Sequence, residues 1–191
     1  ALVRSLSSYL DYYERWAKPW EFQALLKARA AAGDMELGHA FVNAVQPFVW
    51  RAAGESGFVA EARRLRQRVE TTIGADADRE IKLGPGGLRD VEFSVQLLQL
   101  VHGRHDESLR LAGTLEGLTA LSEGGYVGRD DAAALAQTYK FLRTLEHRLQ
   151  LRRLQRTHVF PDEERDIRWL GRSVGMMDDP VAQLMSTWRS V

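Results

Sequence analysis

Along this chain apolar residues recur at intervals of three and four, and runs that alternate apolar with polar are almost absent. An apolar stripe at that spacing winds along one side of an α-helix, whereas a half-buried strand repeats every second residue. The pattern predicts helices over residues 9–17, 20–32, 35–50, 58–73, 88–103, 114–122, 130–156, 162–174 and 179–191. Breakers separate them, including Gly33 with Asp34, the 54–57 stretch, and the Gly124-Gly125 pair. Pro19 suits the first turn of the second helix, where a missing N–H is harmless. The third helix is expected either to reach residue 50 or to end near Pro47. The fold class that follows is all-α: an N-terminal group of helices packs against a helical bundle built on residues 88–103 and 130–156. A sheet of three or more strands would overturn it.

The chain is organised around IKLGPGGLRDVEFSVQLLQ, residues 81–99. Gly84, Gly86 and Gly87 allow a tight turn, Pro85 stiffens it, and a helix follows from Leu88. Free backbone N–H groups in such a turn, at a helix N-terminus and beside Lys82, would form an anion site. On the helix, Leu88, Val91, Val95, Leu98 and His102 make one face, and Phe93, Leu97 and Leu100 make a second. Between them runs a polar strip of Arg89, Glu92, Gln96 and Gln99. A helix apolar on both flanks is mostly buried, so the charges in that strip need partners. Two readings stand: a structural Arg89–Glu92 pair that orients helices, or polar chemistry along a cleft floor. The long helix carries its own strip in Arg143, Glu146, His147 and Gln150. If the two strips adjoin, Arg89, Glu92, Arg143 and Glu146 share one groove, with Lys82 at its rim.

Composition narrows the function classes. Lys plus Arg and Asp plus Glu both number 26, which argues against a sequence-independent nucleic-acid binder. There is no cysteine, hence no thiol catalysis and no zinc–thiolate site. No apolar run approaches a membrane span and no signal peptide opens the chain, so a cytoplasmic protein without membrane contact is expected. The first residues, with no Met among them, look cut from a longer chain. Asp76-Ala77-Asp78 resembles a metal-binding D-x-D, but neither a strand nor a Gly-Ser turn precedes it, and it reads as a decoy. The basic run Arg63, Arg64, Arg66 and Arg68 reads as a solvated helix face.

Two stretches carry a specific resemblance. YYERWAKPWEFQALLKARAAAGD, residues 12–34, resembles the end of a nucleotidyltransferase module in the glutamine synthetase adenylyltransferase family. IKLGPGGLRDVEFSVQLLQLVHG, residues 81–103, resembles the signature of the helical domain that follows it, and FLRTLEHRLQL at 141–151 and THVFP at 157–161 also match. A related helical domain occurs in the uridylyltransferase of the PII signal protein. The resemblance implies that residues 1–53 end a nucleotidyltransferase module and that 58–191 form its helical bundle. It implies a parent with two such modules, one attaching AMP to a tyrosine of glutamine synthetase and one removing it by phosphorolysis to give ADP. The KLGPGGLRDVEF form is similar to the removing half. ATP, ADP, phosphate and Mg²⁺ are the implied substrates and cofactor, with glutamine synthetase and the PII protein as partners.

The family's metal ions are held by a Gly-Ser turn with two strand aspartates and a third aspartate on a later strand. That pattern is missing from this sequence, so no catalytic or metal residue is expected within it. The resemblance carries over Trp20, Glu21, Lys27 and Arg29 as substrate- or phosphate-side contacts, and Lys82, Gly86, Gly87, Arg89 and Glu92 as residues closing the cleft. The alternative function, from a different class, is a non-catalytic helical module that binds a signal protein or partner enzyme.

Overall fold

The computed structural model describes residues 3–55, 57–71 and 77–190. Among them are nine α-helices, two short 3₁₀ turns, and a single isolated bridge between Glu80 and Val159 in place of any sheet. The chain divides into two compact units. The first comprises Ala1–Gln67 with Phe93–Arg129, and the second Arg68–Glu92 with Asp130–Val191.

In the first unit, α1 (Leu6–Arg15), α2 (Pro19–Leu25) and α3 (Met35–Ala52) are followed by the start of α4 (Phe58–Thr71). Ser5 accepts from the Ser8 N–H and Asp34 from the Leu37 N–H, so both α1 and α3 begin on side-chain caps. Phe22, Leu25, Leu26, Val45, Val49, Ala52, Phe58 and Leu100 form the core, and at its edge Tyr9 stacks on Tyr13 while Phe41 meets the first edge-on and the second at a tilt. Each such aliphatic or aromatic burial stabilises by about 1.5–3 kcal/mol. That burial also explains why α3 passes through Pro47. The proline ring is exposed, while Val45 and Val49 on either side are fully buried and hold the helix together.

The second helix departs from the expected 20–32. It closes at Leu25, with i→i−3 bonds from Leu26, Lys27 and Ala28 tightening its end. The chain then crosses the first turn of α3, where a Cβ on Gly38 would stand 2.7 Å from the Ala30 Cβ. Only glycine permits that approach. Lys27 and Arg29 therefore leave a loop, off the helix that carries Trp20 and Glu21.

Helix α5 (Leu88–His102) begins in the second unit and runs on into the first, where α6 (Thr114–Glu123) follows. The second unit is built on α7 (Arg129–Arg153), 25 residues and about 37 Å long, with α8 (Glu164–Ser173) and α9 (Pro180–Ser190). Gly171 lets α8 meet α9 closely, since a Cβ there would lie 2.5 Å from the Pro180 carbonyl oxygen. Helix α7 stops before residue 156 because Leu154 takes φ 52°, a left-handed conformation that reverses the chain. The segment after it pairs with the stretch leading into the glycine turn: the Ile81 N–H donates to the His158 carbonyl and the Phe160 N–H to that of Arg79, at 2.8 and 2.7 Å.

Candidate functional site

The glycine turn is a closed knot of hydrogen bonds. The Lys82 and Leu83 N–H groups donate to Glu80 Oε1 at 3.1 and 3.4 Å, and Gly84 donates to the Glu80 carbonyl. The Gly86 N–H donates to Asp90 Oδ2 at 2.9 Å, and those of Gly87, Leu88 and Arg89 to the carbonyls of Gly84, Ile81 and Lys82. Pro85 has no N–H. The turn and its helix N-terminus therefore leave no backbone donor for an anion, contrary to what the motif predicts; two side-chain carboxylates of the chain itself occupy that role. A cavity of about 280 Å³ lies against the turn, lined among others by Pro85, Gly86, Gly87, Leu142 and Trp188.

Beside it lies a cluster of charged side chains from α5, α7 and the turn. Arg143 donates from Nη2 to Glu92 Oε1, from Nη1 to Glu146 Oε2 at 2.7 Å, and from Nε to the Tyr139 hydroxyl at 3.0 Å. Tyr139 in turn donates to Glu92 Oε1 at 3.1 Å, and its ring lies 5.2 Å from the guanidinium carbon. Lys82 Nζ reaches Glu146 Oε1 at 3.3 Å, and His158 Nδ1 approaches the same oxygen at 3.2 Å. Arg89 takes no part. Its side chain is exposed, one turn before Glu92, so of the two readings the local Arg89–Glu92 pair does not form, and Glu92 pairs with Arg143 between two helices. Tyr139 and His158 are members that the charge strips alone did not point to. Tyr139 stands one helical turn before Arg143, which is the spacing that could have found it.

Burial pulls the Arg143 guanidinium towards losing its proton, but the hydrogen bonds with Tyr139 and Glu146 outweigh it and hold the charge. At Glu146 burial pushes the carboxyl up, while the Arg143 bond and the nearby Lys82 charge push it further down, leaving it below the ordinary carboxylate range. A carboxyl depressed in the folded state stabilises the fold above its unfolded pKa and loses that contribution as pH falls through the folded one. The melting temperature of the chain is therefore expected to fall as pH drops below about 4.3. Glu146→Gln should flatten that fall, which thermal unfolding at pH 3–6 would measure. Two parallel curves would remove Glu146 from the explanation.

In the first unit the candidate residues scatter. Trp20 is 54% exposed. Glu21 is already engaged, accepting from the Tyr12 hydroxyl at 3.1 and 2.9 Å and from the Lys18 N–H at 2.9 Å, a bond set that pushes the Tyr12 phenol up. Lys27 Nζ donates to Thr114 Oγ1 at 2.9 Å. Arg29 is exposed beside a groove of about 440 Å³ floored by Tyr9, Leu37 and Phe41. The remaining strip residues of α5 serve structure: Gln96 accepts from Gln23, and buried Gln99 donates to the Leu109 and Leu111 carbonyls.

Residues 58–191, which include the turn and the charge cluster, match the family model of the GlnD PII-uridylyltransferase. The chain belongs to that family. Residues 1–44, with Trp20, Glu21, Lys27 and Arg29, match a second model, glutamate-ammonia ligase adenylyltransferase. Among full-length relatives, the chain is 59% identical over 189 residues to the bifunctional glutamine synthetase adenylyltransferase/adenylyl-removing enzyme of Streptomyces coelicolor, covering 98% of this chain and 19% of that protein. It is 61% identical over 181 residues to the enzyme of the same name from Mycolicibacterium smegmatis and 59% to that of Mycobacterium tuberculosis, each covering 93% of this chain and 18% of the relative. The chain thus spans about a fifth of the length of the curated relatives it matches.

Nucleotidyl transfer of the kind those names describe implies a divalent metal ion, and the residues present do not fit one. Among the described residues no three His, Asp or Glu side chains come together to hold a metal. Of the D-x-D pattern, Asp76 lies outside the described residues. Nor is any helix among them long and apolar enough to cross a membrane.

Proposed function

We propose that this chain is the helical part of an enzyme that regulates glutamine synthetase by reversible adenylylation of a tyrosine, within the half that removes AMP by phosphorolysis. The observation that carries the reading is the run of high identity along nearly the whole chain to proteins named for both activities. The KLGPGGLRDVEF form of the central motif favours the removing half. In this reading residues 1–53 close a nucleotidyltransferase module and 58–191 form the bundle beside it. Mg²⁺ is held by carboxylates elsewhere in the longer protein, which takes ATP and phosphate as substrates, releases ADP on removal, works in the cytoplasm and answers to the PII protein. Trp20, Arg29, Lys82 and Arg143 are the residues of this chain offered to substrate. Gly86, Gly87, Glu21, Glu92 and Glu146 shape and hold their surroundings.

The test uses the complete enzyme. Lys82→Ala there should slow ADP release from adenylylated glutamine synthetase, phosphate and Mg²⁺ by about tenfold, and more than it slows AMP attachment from ATP. The 191-residue chain alone should release no ADP. Greater loss of attachment than of removal would move the chain to the other half. Loss of neither would make it a scaffold or a signal-binding module.

A further inference from the structure

The cluster around Glu146 is layered by depth. The Glu146 and Glu92 side chains are 3% and 12% exposed, whereas those of Lys82 and Arg143 are 27% and 31% exposed. Two carboxylates and two cations cancel, with the negative ends inward and the positive ends towards solvent. The donors are not used up. A guanidinium has five N–H bonds and an ammonium three. Arg143 spends one at each of its nitrogens, on Tyr139, Glu146 and Glu92, and Lys82 spends one on Glu146. Two N–H bonds of each cation therefore have no acceptor among the described residues.

One carboxylate ties the two cations together. Lys82 approaches Glu146 Oε1 and Arg143 Oε2, so both charged groups stand on the same side chain. The Tyr139 ring and hydroxyl and the Glu92 carboxylate fix the plane of the guanidinium. We propose that Lys82 Nζ and the outer N–H groups of Arg143 form a binding site for a tetrahedral oxyanion, a phosphate either free or carried by a nucleotide. Glu146 and Glu92 position the two cations. The glycine turn contributes its shape and none of its amides, which are all bonded already. The site rests on the reading above that Lys82 and Arg143 face substrate, but its occupancy is read without glutamine synthetase, so a failed titration and a failed enzyme assay are told apart.

The experiment titrates inorganic phosphate, ADP and adenosine into the 191-residue chain at low ionic strength, followed by calorimetry. Saturable phosphate binding is expected, weakened at least about tenfold in Lys82→Gln by loss of a charge-assisted bond, and retained in Lys82→Arg and in Arg189→Gln, which alters an exposed arginine lining the nearby cavity of the glycine turn. A free-phosphate site binds ADP no more tightly than phosphate. A nucleotide site binds ADP more tightly, and adenosine is ignored in both cases. In the wild-type chain the Arg143 Nε–H resonance should shift on adding phosphate, which carries the test even if Lys82→Gln fails to fold. Absence of saturable binding of phosphate and ADP, an unmoved Arg143 resonance, or equal binding by a folded Lys82→Gln overturns the site.

Discussion

Glu146→Ala is expected to destabilise the chain by about 3–5 kcal/mol, the loss seen when one member of a buried charge network is removed. For a chain of this size that corresponds to a fall of about 6–20 °C in melting temperature. The reason lies in what remains. Arg143 keeps Glu92 but loses its 2.7 Å partner, Lys82 loses the carboxylate oxygen 3.3 Å away, and His158 Nδ1 loses the same oxygen at 3.2 Å. Water has little access to a side chain that is 3% exposed, so it cannot replace the carboxylate. The contrast is Arg89→Ala, where an exposed side chain outside the cluster should change stability by no more than about 0.5 kcal/mol. Thermal unfolding of the two variants checks both. Equal melting temperatures would mean that the carboxylate of Glu146 is dispensable, and the account of a buried network would go.

The pairing of Arg143 with Glu92 shows where sequence reading runs out. Both residues stood out as charges flanked by apolar faces, and adjoining strips predicted that they would meet. The spacing of Arg89 and Glu92, three apart on one helix, also allowed a local pair. Spacing alone could not choose between them, because the choice depends on which side of α5 turns towards α7. Burial of Leu88 and Val91 turns Glu92 inward and leaves Arg89 in solvent. The helix period, by contrast, was fully legible: α3, α4, α6, α8 and α9 lie within a few residues of where the apolar repeats put them. What misled was local chemistry at ends. Nothing in ALLKARAAAG, residues 24–33, forbids a helix, and only the close approach of Ala30 to Gly38 makes an extended crossing the better packing. Likewise Leu154 gives no sign of a left-handed turn, a conformation that the pairing of residues 79–81 with 158–160 imposes from outside the helix.

The glycines of the turn likewise owe their identity to contacts that the sequence does not display. The motif suggested that Gly84, Gly86 and Gly87 free the backbone to face a ligand. In the structure Gly86 takes φ 71°, which favours glycine, but Gly84 and Gly87 are needed for a different reason. A Cβ on Gly84 would lie 2.5 Å from the carbonyl oxygens of both Ala77 and Glu80, and one on Gly87 would lie 2.7 Å from that of Ile81. These are backbone atoms, which cannot swing aside as a side-chain tip can. Gly84→Ala must therefore push apart the strands of the knot, weakening the Gly84-to-Glu80 bond at 3.1 Å and those from Leu88 and Arg89 to Ile81 and Lys82. The expected cost is about 3 kcal/mol, the upper end for overpacking. Gly33→Ala is the control: its φ is 78° but no atom lies within 4 Å, so only the left-handed conformation is penalised, by about 1–2 kcal/mol. Denaturant unfolding gives both values, and hydrogen exchange at the Leu88 and Arg89 amides locates the damage. Faster exchange at those two amides in Gly84→Ala alone is the expected result. Wild-type stability in that variant would show that the turn has room to spare, and the glycines would need another explanation.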